Sequence, residues 1–297
     1  MEDFKLKVFH SVAKNRSFTK AASELFITQP AVTQQIRNLE QSLGARLFER
    51  IGNSIVMTPE AEVLFRYTNE IMHLYHECTL ELSTMKNRPA GSFSLGASTT
   101  IAQYLIAPVL GSFQSKFPNI TLNLLSGNSE TIENAVLSKE ISLGIVEGKR
   151  HHSDLKYSEL TTDELVLVTH TKSRFSKNNR INLEDLKKIP IVLRERGSGT
   201  LEVIESALQE HGIRFSDLLV IMHLGGTESI KSFLENSHSV AFLSKRAVQK
   251  EVKYGELKEL PVKGFHILRN FSFIHLHGQP DKFSTMFMRY AKNHYSP

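Results

Sequence analysis

The stretch FTKAASELFITQPAVTQQIRNLEQSLGARLFER, residues 18–50, decides how the first part of this chain folds. Its apolar residues recur at helical spacing, yet the second half lines up Gln29, Thr33, Gln34 and Arg37 on one side. A core helix hides its polar residues, and an ordinary surface helix favours Glu and Lys. A face of amides, a hydroxyl and a guanidinium suits contact with something polar and patterned. Ser17 is a good N-cap for a helix running through Ala21, Ala22 and Leu25. Residues 26–28 make a turn, and Thr28 or Gln29 caps the next helix. Pro30 stands near its first position, where a missing N–H is harmless. That helix is expected to bury Ala31, Val32, Ile36, Leu39 and Leu43 and to end at Gly44. Upstream, Phe4, Val8, Phe9 and Val12 share one face of a helix over residues 2–14. Downstream, LFERIGNSIVMT (47–58) reads as two short strands about a turn at Gly52–Asn53, a small wing.

The polar face has a physical counterpart in duplex DNA. Base edges in the major groove present donors and acceptors that Gln and Arg meet bidentately. Where two helices meet across such a turn, the N-terminal residues of the second reach the bases. Gln29, Thr33, Gln34 and Arg37 occupy that reading face, with Thr28, Pro30 and Ala31 opening the helix. Ser17, Thr19, Lys20 and Arg50 of the wing are placed for phosphates, which fix position rather than sequence.

The bulk numbers allow this reading without carrying it. A chain of 297 residues has room for two or more domains, and its 40% hydrophobic and 23% charged content suits a soluble globular protein. A net charge of +5 is a mild bias towards polyanions. The single cysteine, Cys78, has no internal partner, which fits a reducing compartment. No apolar run reaches the length of a membrane span. The opening MEDFKLKVFHSVAKNRSF is amphipathic rather than a signal peptide, so a cytoplasmic location and no membrane partner are expected.

From Pro59 to Met85 there is no glycine and no further proline. Leu64, Thr68, Ile71, Tyr75, Cys78, Leu82 and Met85 alternate four and three apart, an association seam with one polar flaw at Thr68. KNRPAGS (86–92) breaks that helix. Beyond it, FSLGAS, ITLNLLSG, ISLGIVEG, ELVLVTH, IPIVLRE, LLVIMHL, SVAFLS and FSFIHLHG read as strands, with helices between most of them, as at 101–116, 129–139 and 200–211. Such alternation argues for α/β architecture with largely parallel sheets. Whether there is one sheet or two is open from periodicity.

Residues 1–58 resemble the winged helix-turn-helix of LysR-type transcriptional regulators through SFTKAASEL, TQPAVTQQIRNLEQSLGARLFER and the MTPEA that follows. Further on, GAS…YLIAPVLGSFQSKFPNITLNLLSGNS, LGIVEG, LRERGSGT and HSVAFLSKRAV are similar to that family's effector domain. One position departs, with Glu62 where the family usually has glycine. The resemblance implies an all-α winged helix-turn-helix at 1–58, with the helix-turn-helix itself at about 18–37, and a dimerising linker helix at 59–88. It also implies an α/β effector domain over 92–297, built as two lobes in the manner of periplasmic binding proteins. Lobe I spans about 92–161 and 269–297, and lobe II about 162–268, with chain crossings near Thr161–Thr162 and Gly264–Arg269. The partners implied are operator DNA, a small-molecule effector, and further copies of the chain in a homodimer or homotetramer.

Within the effector region two stretches stand out. GASTT (96–100) and GSGT (197–200) each follow a strand and open a helix. Free N–H groups there, with hydroxyls alongside, can hold an anion. Two such junctions facing each other across a cleft would make a clamp from Ser98, Thr99, Thr100, Ser198, Gly199 and Thr200, with Gly127 lining it. Ordinary N-capping by Ser and Thr is the simpler use of the same residues. No catalytic residue, metal site or cofactor is expected. His73 with His76, and His151 with His152, lack the further ligands that zinc requires. There is no phosphate-binding glycine loop and no Gly-x-Ser-x-Gly elbow. A solute-binding protein or an enzyme using the same cleft are the competing classes; the 1–58 motif opposes the first and the missing chemistry the second.

Overall fold

The computed structural model describes residues 3–51, 54–85, 90–149 and 151–295. The chain forms two compact units, Met1–Gly91 with Ser138–Glu140, and Ser92–Leu137 with Ile141–Pro297.

In the first unit Asp3 caps α1 (Phe4–Asn15), accepting from the N–H groups of Lys5 and Leu6. Two helices follow, the short α2 (Phe18–Glu24) and α3 (Gln29–Leu43), then the paired strands β1 (Phe48–Ile51) and β2 (Ser54–Met57) and the long α4 (Pro59–Met85). The wing turn expected at Gly52–Asn53 lies outside the described residues, as do residues 86–89 of the expected break after α4. Val8, Phe9, Val12, Ala21, Val32, Ile36, Leu39 and Leu47 form one core. The rings of Phe9 and Phe18 each sit 5.7 Å from that of Phe48, which ties the wing to the helices. Three expected core residues sit less deeply. Phe4 is 46% exposed, Leu43 is 50% exposed and Ala31 is half-buried. Phe4 opens α1 and Leu43 closes α3, both beyond the reach of so small a core.

Along α4 the expected seam is turned. Thr68 is fully buried within the chain, its hydroxyl donating to the Leu64 carbonyl at 2.7 Å. Asn69 Oδ1 accepts from His10 Nε2 at 2.8 Å, and His10 stacks on Phe65, so this side of α4 belongs to α1. Among the described side chains of α4, the large apolar residues left exposed are Val63, Tyr67, Leu74 and Leu82. The 3.5-residue spacing holds, but most of the free stripe lies one position earlier. Leu64 and Thr68 are used inside the protomer.

The second unit runs β3 (Gly91–Ser98), α5 (Thr99–Ile101), a π-helical turn (Ala102–Ile106), α6 (Ala107–Lys116), β4 (Ile120–Gly127), α7 (Ser129–Leu137), β5 (Leu143–Glu147) and β6 (Leu155–His170). It continues with β7 (Ile191–Arg194), α8 (Gly199–Glu210), β8 (Val220–Leu224), α9 (Thr227–Glu235), β9 (Val240–Ser244), α10 (Lys245–Tyr254), β10 (Leu257–Glu259), β11 (Ile267–Leu276) and α11 (Lys282–Tyr295). These strands make a single sheet in the order β4-β3-β5-β11-β6-β9-β7-β8, with β10 against β6. Pairing is parallel between β3 and β5 and among β9, β7 and β8. It is antiparallel through the centre, where β11 pairs with β5 and β6, and β6 with β9. The expected parallel character therefore holds towards the ends and fails in the middle.

The reason is two long strands. β6 and β11 pair from Leu155 opposite Leu276 to Leu165 opposite Ile267 and so pass through both halves of the sheet. The first half of β6, LKYSELTTD, is polar and partly exposed, which disguises it as a loop. Thr161 and Thr162 stand opposite Phe271 and Asn270, where the register is irregular between Phe271 and Ser272. Each half has a core of its own. Ile132, Val136, Val146 and Ile274 pack in one, and Leu167, Ile191, Ile204, Leu208 and Phe242 in the other.

Candidate functional site

Two places in this fold carry polar groups in a purposeful arrangement. The first is the outer face of α3. Thr28 caps the helix by accepting from the Ala31 N–H at 3.4 Å, with Gln29 and Pro30 as the first two helical residues. Val32, Ile36 and Leu39 turn inward, which leaves Gln29, Pro30, Gln34 and Arg37 exposed and Thr33 half-buried. Thr33 donates to the Gln29 carbonyl at 3.0 Å, and Gln34 Nε2 to Asn38 Oδ1 at 2.9 Å, so both are held on the helix surface. Ser17 caps α2 through the Lys20 N–H at 3.2 Å, with Thr19 and Lys20 exposed beside it. Arg50 pairs with Ile55 in the wing; its side chain is outside the described residues. The turn between α2 and α3 presents Phe26, 96% exposed and left-handed at φ 55°.

The second place lies between the two halves of the sheet, where the GASTT and GSGT junctions meet. Ser98 ends β3, accepts weakly from the Ile101 N–H at 3.5 Å, and donates to Glu147 Oε2. Thr99 donates to the Gly127 carbonyl at 2.9 Å, and Thr100 is buried. From the other half, Thr200 Oγ1 donates to Glu147 Oε1 at 3.1 Å. Gly199 lies directly on the Glu147 backbone: a Cβ built there falls 2.5 Å from the Glu147 carbonyl carbon and 2.6 Å from Ser129 Oγ. Ser129 Oγ donates to the Glu147 carbonyl at 2.8 Å. Ser198 is at the N-cap position of α8, but its hydroxyl does not cap the helix, and it is buried with no hydrogen-bond partner.

Residues outside the expected set complete the junction. Arg269, on β11, donates through Nη1 to Thr200 Oγ1 at 2.8 Å, and Nη1 is 3.4 Å from Glu147 Oε1. Its Nε donates to Asp163 Oδ2 at 2.8 Å, and its Nη2 lies 2.7 Å from the same oxygen without a well-directed hydrogen bond. Ser244 Oγ donates to Asp163 Oδ1 at 2.9 Å. Glu147, Asp163 and Arg269 are all at most 5% exposed. Buried charges persist only when paired and hydrogen-bonded, and here each has a partner from another strand. The expected residues Ser98 and Thr200 are thus brought together, but through a carboxylate and a guanidinium outside the two junction motifs. The sequence does carry one signal for the carboxylate: Glu147 is the charged side chain that ends the apolar run ISLGIV.

At the rim, Tyr104 in the π-helical turn donates to Glu228 at the start of α9, and Lys231 bridges Glu228 at 2.8 Å and Glu251 at 2.5 Å. Burial, and then the Glu228 hydrogen bond, push the Tyr104 hydroxyl pKa upward, so it stays a proton donor. π-helical turns of this kind are frequent at functional sites. Elsewhere, His151 stacks on Tyr157 and His152 Nδ1 accepts from the Asp154 N–H, while the side chains of His73 and His76 are outside the described residues. Among the described residues no cluster of His, Cys, Asp or Glu is arranged to hold a metal, and no helix is long and apolar enough to cross a membrane.

Comparison with known proteins bears on both places. Residues 4–62 match the family described as "Bacterial regulatory helix-turn-helix protein, lysR family", and residues 86–295 the "LysR substrate binding domain". A probable RuBisCO transcriptional regulator of Guillardia theta is 32% identical over 272 residues, covering 91% of this chain and 88% of that one. Full-length CbnR, solved in complex with its target DNA, is similar in fold at 18% identity, with a TM-score of 0.71 over 99% of each chain. The CcmR regulatory domain of Synechocystis PCC6803, solved in complex with 2-PG, is 26% identical with a TM-score of 0.61, covering 68% of this chain and 96% of that one.

Proposed function

The chain belongs to the LysR family of helix-turn-helix transcriptional regulators, and we propose that it reads operator DNA through the outer face of α3 under the control of a small anionic effector held between the two halves of its sheet. Gln29, Thr33, Gln34 and Arg37 meet base edges in the major groove. Ser17, Thr19, Lys20 and Arg50 hold the phosphates, and Thr28, Pro30 and Ala31 open the reading helix against the DNA. The apolar stripe of α4 pairs two protomers, so that two such heads address two half-sites; the assembly is a homodimer or homotetramer. The domains are residues 1–58 for DNA, 59–88 for association and 92–297 for the effector, and a role in binding DNA supports a cytoplasmic location.

The observation that supports the effector reading is the convergence of two hydroxyl-bearing junctions, one from each half, on a single carboxylate beside a buried arginine. A site that gathers such donors is suited to an oxyanion, and the similar CcmR domain was solved with 2-PG. Ser98, Thr99, Thr100, Gly127, Ser198, Gly199 and Thr200 belong to it, beside Arg269, whose charge is shared between Asp163 and Glu147. An effector that prefers one arrangement of the halves shifts the spacing of the DNA-binding heads by linkage, and no catalytic step is needed. The test uses an operator fragment selected from random duplex DNA. Its affinity for the full-length protein should change with at least one of 2-PG, phosphate, sulfate or acetate. Ser98→Ala with Thr200→Val should abolish that response while leaving affinity without ligand unchanged. No response to any of these, or a response that survives the double substitution, would sink the reading.

A further inference from the structure

The carboxylate held by the two junctions is the chain's own. Ser98 from one half donates to Glu147 Oε2, Thr200 from the other donates to Oε1, and Arg269 Nη1 stands 3.4 Å from Oε1. Each hydroxyl has a single proton to give, and both are spent on Glu147. A second anion seated on the same donors would also lie against the Glu147 charge, and like charges at that range disfavour each other. An oxyanion and the Glu147 head group therefore cannot use this set together.

We infer that Glu147 is a tethered occupant of the effector site, and that a small oxyanion, a carboxylate or a tetrahedral inorganic anion, binds by displacing its head group. This rests on the effector reading above and gives it a chemistry. One buried donor is left for an incoming anion to engage first, the Ser198 hydroxyl, which has no hydrogen bond; Arg269 Nη2 also lacks a directed hydrogen bond but already lies against Asp163. Glu147 is paired with Phe271 of β11 through its main chain, so its head group can turn away without unpairing the sheet. A tethered competitor lowers the apparent affinity of every ligand by the fraction of molecules in which the site is free. It thereby raises the threshold for all of them, so that single weak carboxylates stay unbound at concentrations where a ligand with further anionic oxygens still binds.

The experiment titrates acetate, sulfate and inorganic phosphate calorimetrically into the full-length wild type, Glu147→Ala, Glu147→Gln and Glu147→Ala with Thr200→Val, with melting curves for each. Glu147→Ala should bind at least one of the three about tenfold or more tightly than wild type does, the worth of a charge-assisted hydrogen bond no longer contested. Glu147→Gln, close to isosteric and uncharged, should show a gain in the same direction, and it decides the matter if the alanine variant does not fold. Adding Thr200→Val should erase the gain. Folded variants that bind no oxyanion more tightly overturn the inference. If wild type then still binds one in a Thr200-dependent way, the cleft reading survives; if no binding depends on Thr200, that reading falls as well.

Discussion

Replacing Gly199 by alanine tests whether the two halves of the sheet close on each other as described. The added Cβ would fall inside the envelope of the Glu147 carbonyl oxygen, 2.5 Å from its carbon and 2.6 Å from Ser129 Oγ. The Glu147 atoms are backbone and cannot swing aside, so α8 and β5 must separate. Overpacking of this kind costs about 1–3 kcal/mol. Separation also strains the 2.8 Å bond from Ser129 to the Glu147 carbonyl, worth about 1 kcal/mol, and the Thr200 bond to the carboxylate, worth about 1.5–3 kcal/mol. The structure relaxes in part, so a net loss of about 3–5 kcal/mol is expected. At roughly 2–4 °C per kcal/mol for a unit of this size, the melting temperature should drop by about 6–20 °C. Gly111 in α6 is the control, since nothing lies within 4 Å of a Cβ there. Gly111→Ala should be neutral or stabilising by up to about 1 kcal/mol, because a helix interior favours alanine. A Gly199→Ala protein that melts within a degree of wild type would refute the closed packing of the junctions.

Burial holds the His10 pKa below its ordinary 6.5, against the opposing hydrogen bond that Nε2 donates to Asn69 Oδ1. Below that pH the unfolded chain binds the proton more readily than the folded one, so stability should fall as pH drops from about 7.5 through 6.5 towards the lowered value. Denaturant unfolding of the full chain at pH 7.5 and 5.5 should show a smaller loss for His10→Gln than for wild type; equal losses would contradict it. Tyr67→Glu with Leu74→Glu places charge on the exposed stripe of α4 and should yield smaller species in sedimentation, with operator binding weakened because half-sites are no longer joined. Unchanged sedimentation and affinity together would dismiss that stripe as the association surface.

Much of the fold is legible in the sequence because it rests on local chemistry. Ser17 and Thr28 announce their caps, Gly44 its left-handed end at φ 64°, and the strand ITLNLLSG coincides with β4. What escapes depends on pairing between distant segments. The polar half of β6 becomes a strand only because β11 lies along it, and that pairing turns a parallel expectation into a mixed sheet. The seam of α4 cannot be phased from spacing alone, since α1 decides which stripe is already used. At the junction, hydroxyls in a strand-to-helix turn are visible in sequence. Their common partner is not, because Glu147, Asp163 and Arg269 come from three different strands and meet only in the folded sheet.

The account stands most directly on the outer face of α3. Full-length wild type and Gln34→Ala, each used to select binding sites from random duplex DNA, would test it in one measurement. Wild type should enrich a sequence of two related half-sites set about one helical turn or a multiple apart. The substitution should relax one base position in each half-site, a loss of about 1–3 kcal/mol of discrimination, while the half-site spacing stays the same. Enrichment of the identical sequence with identical base preference by both proteins would contradict the claim that this face reads DNA.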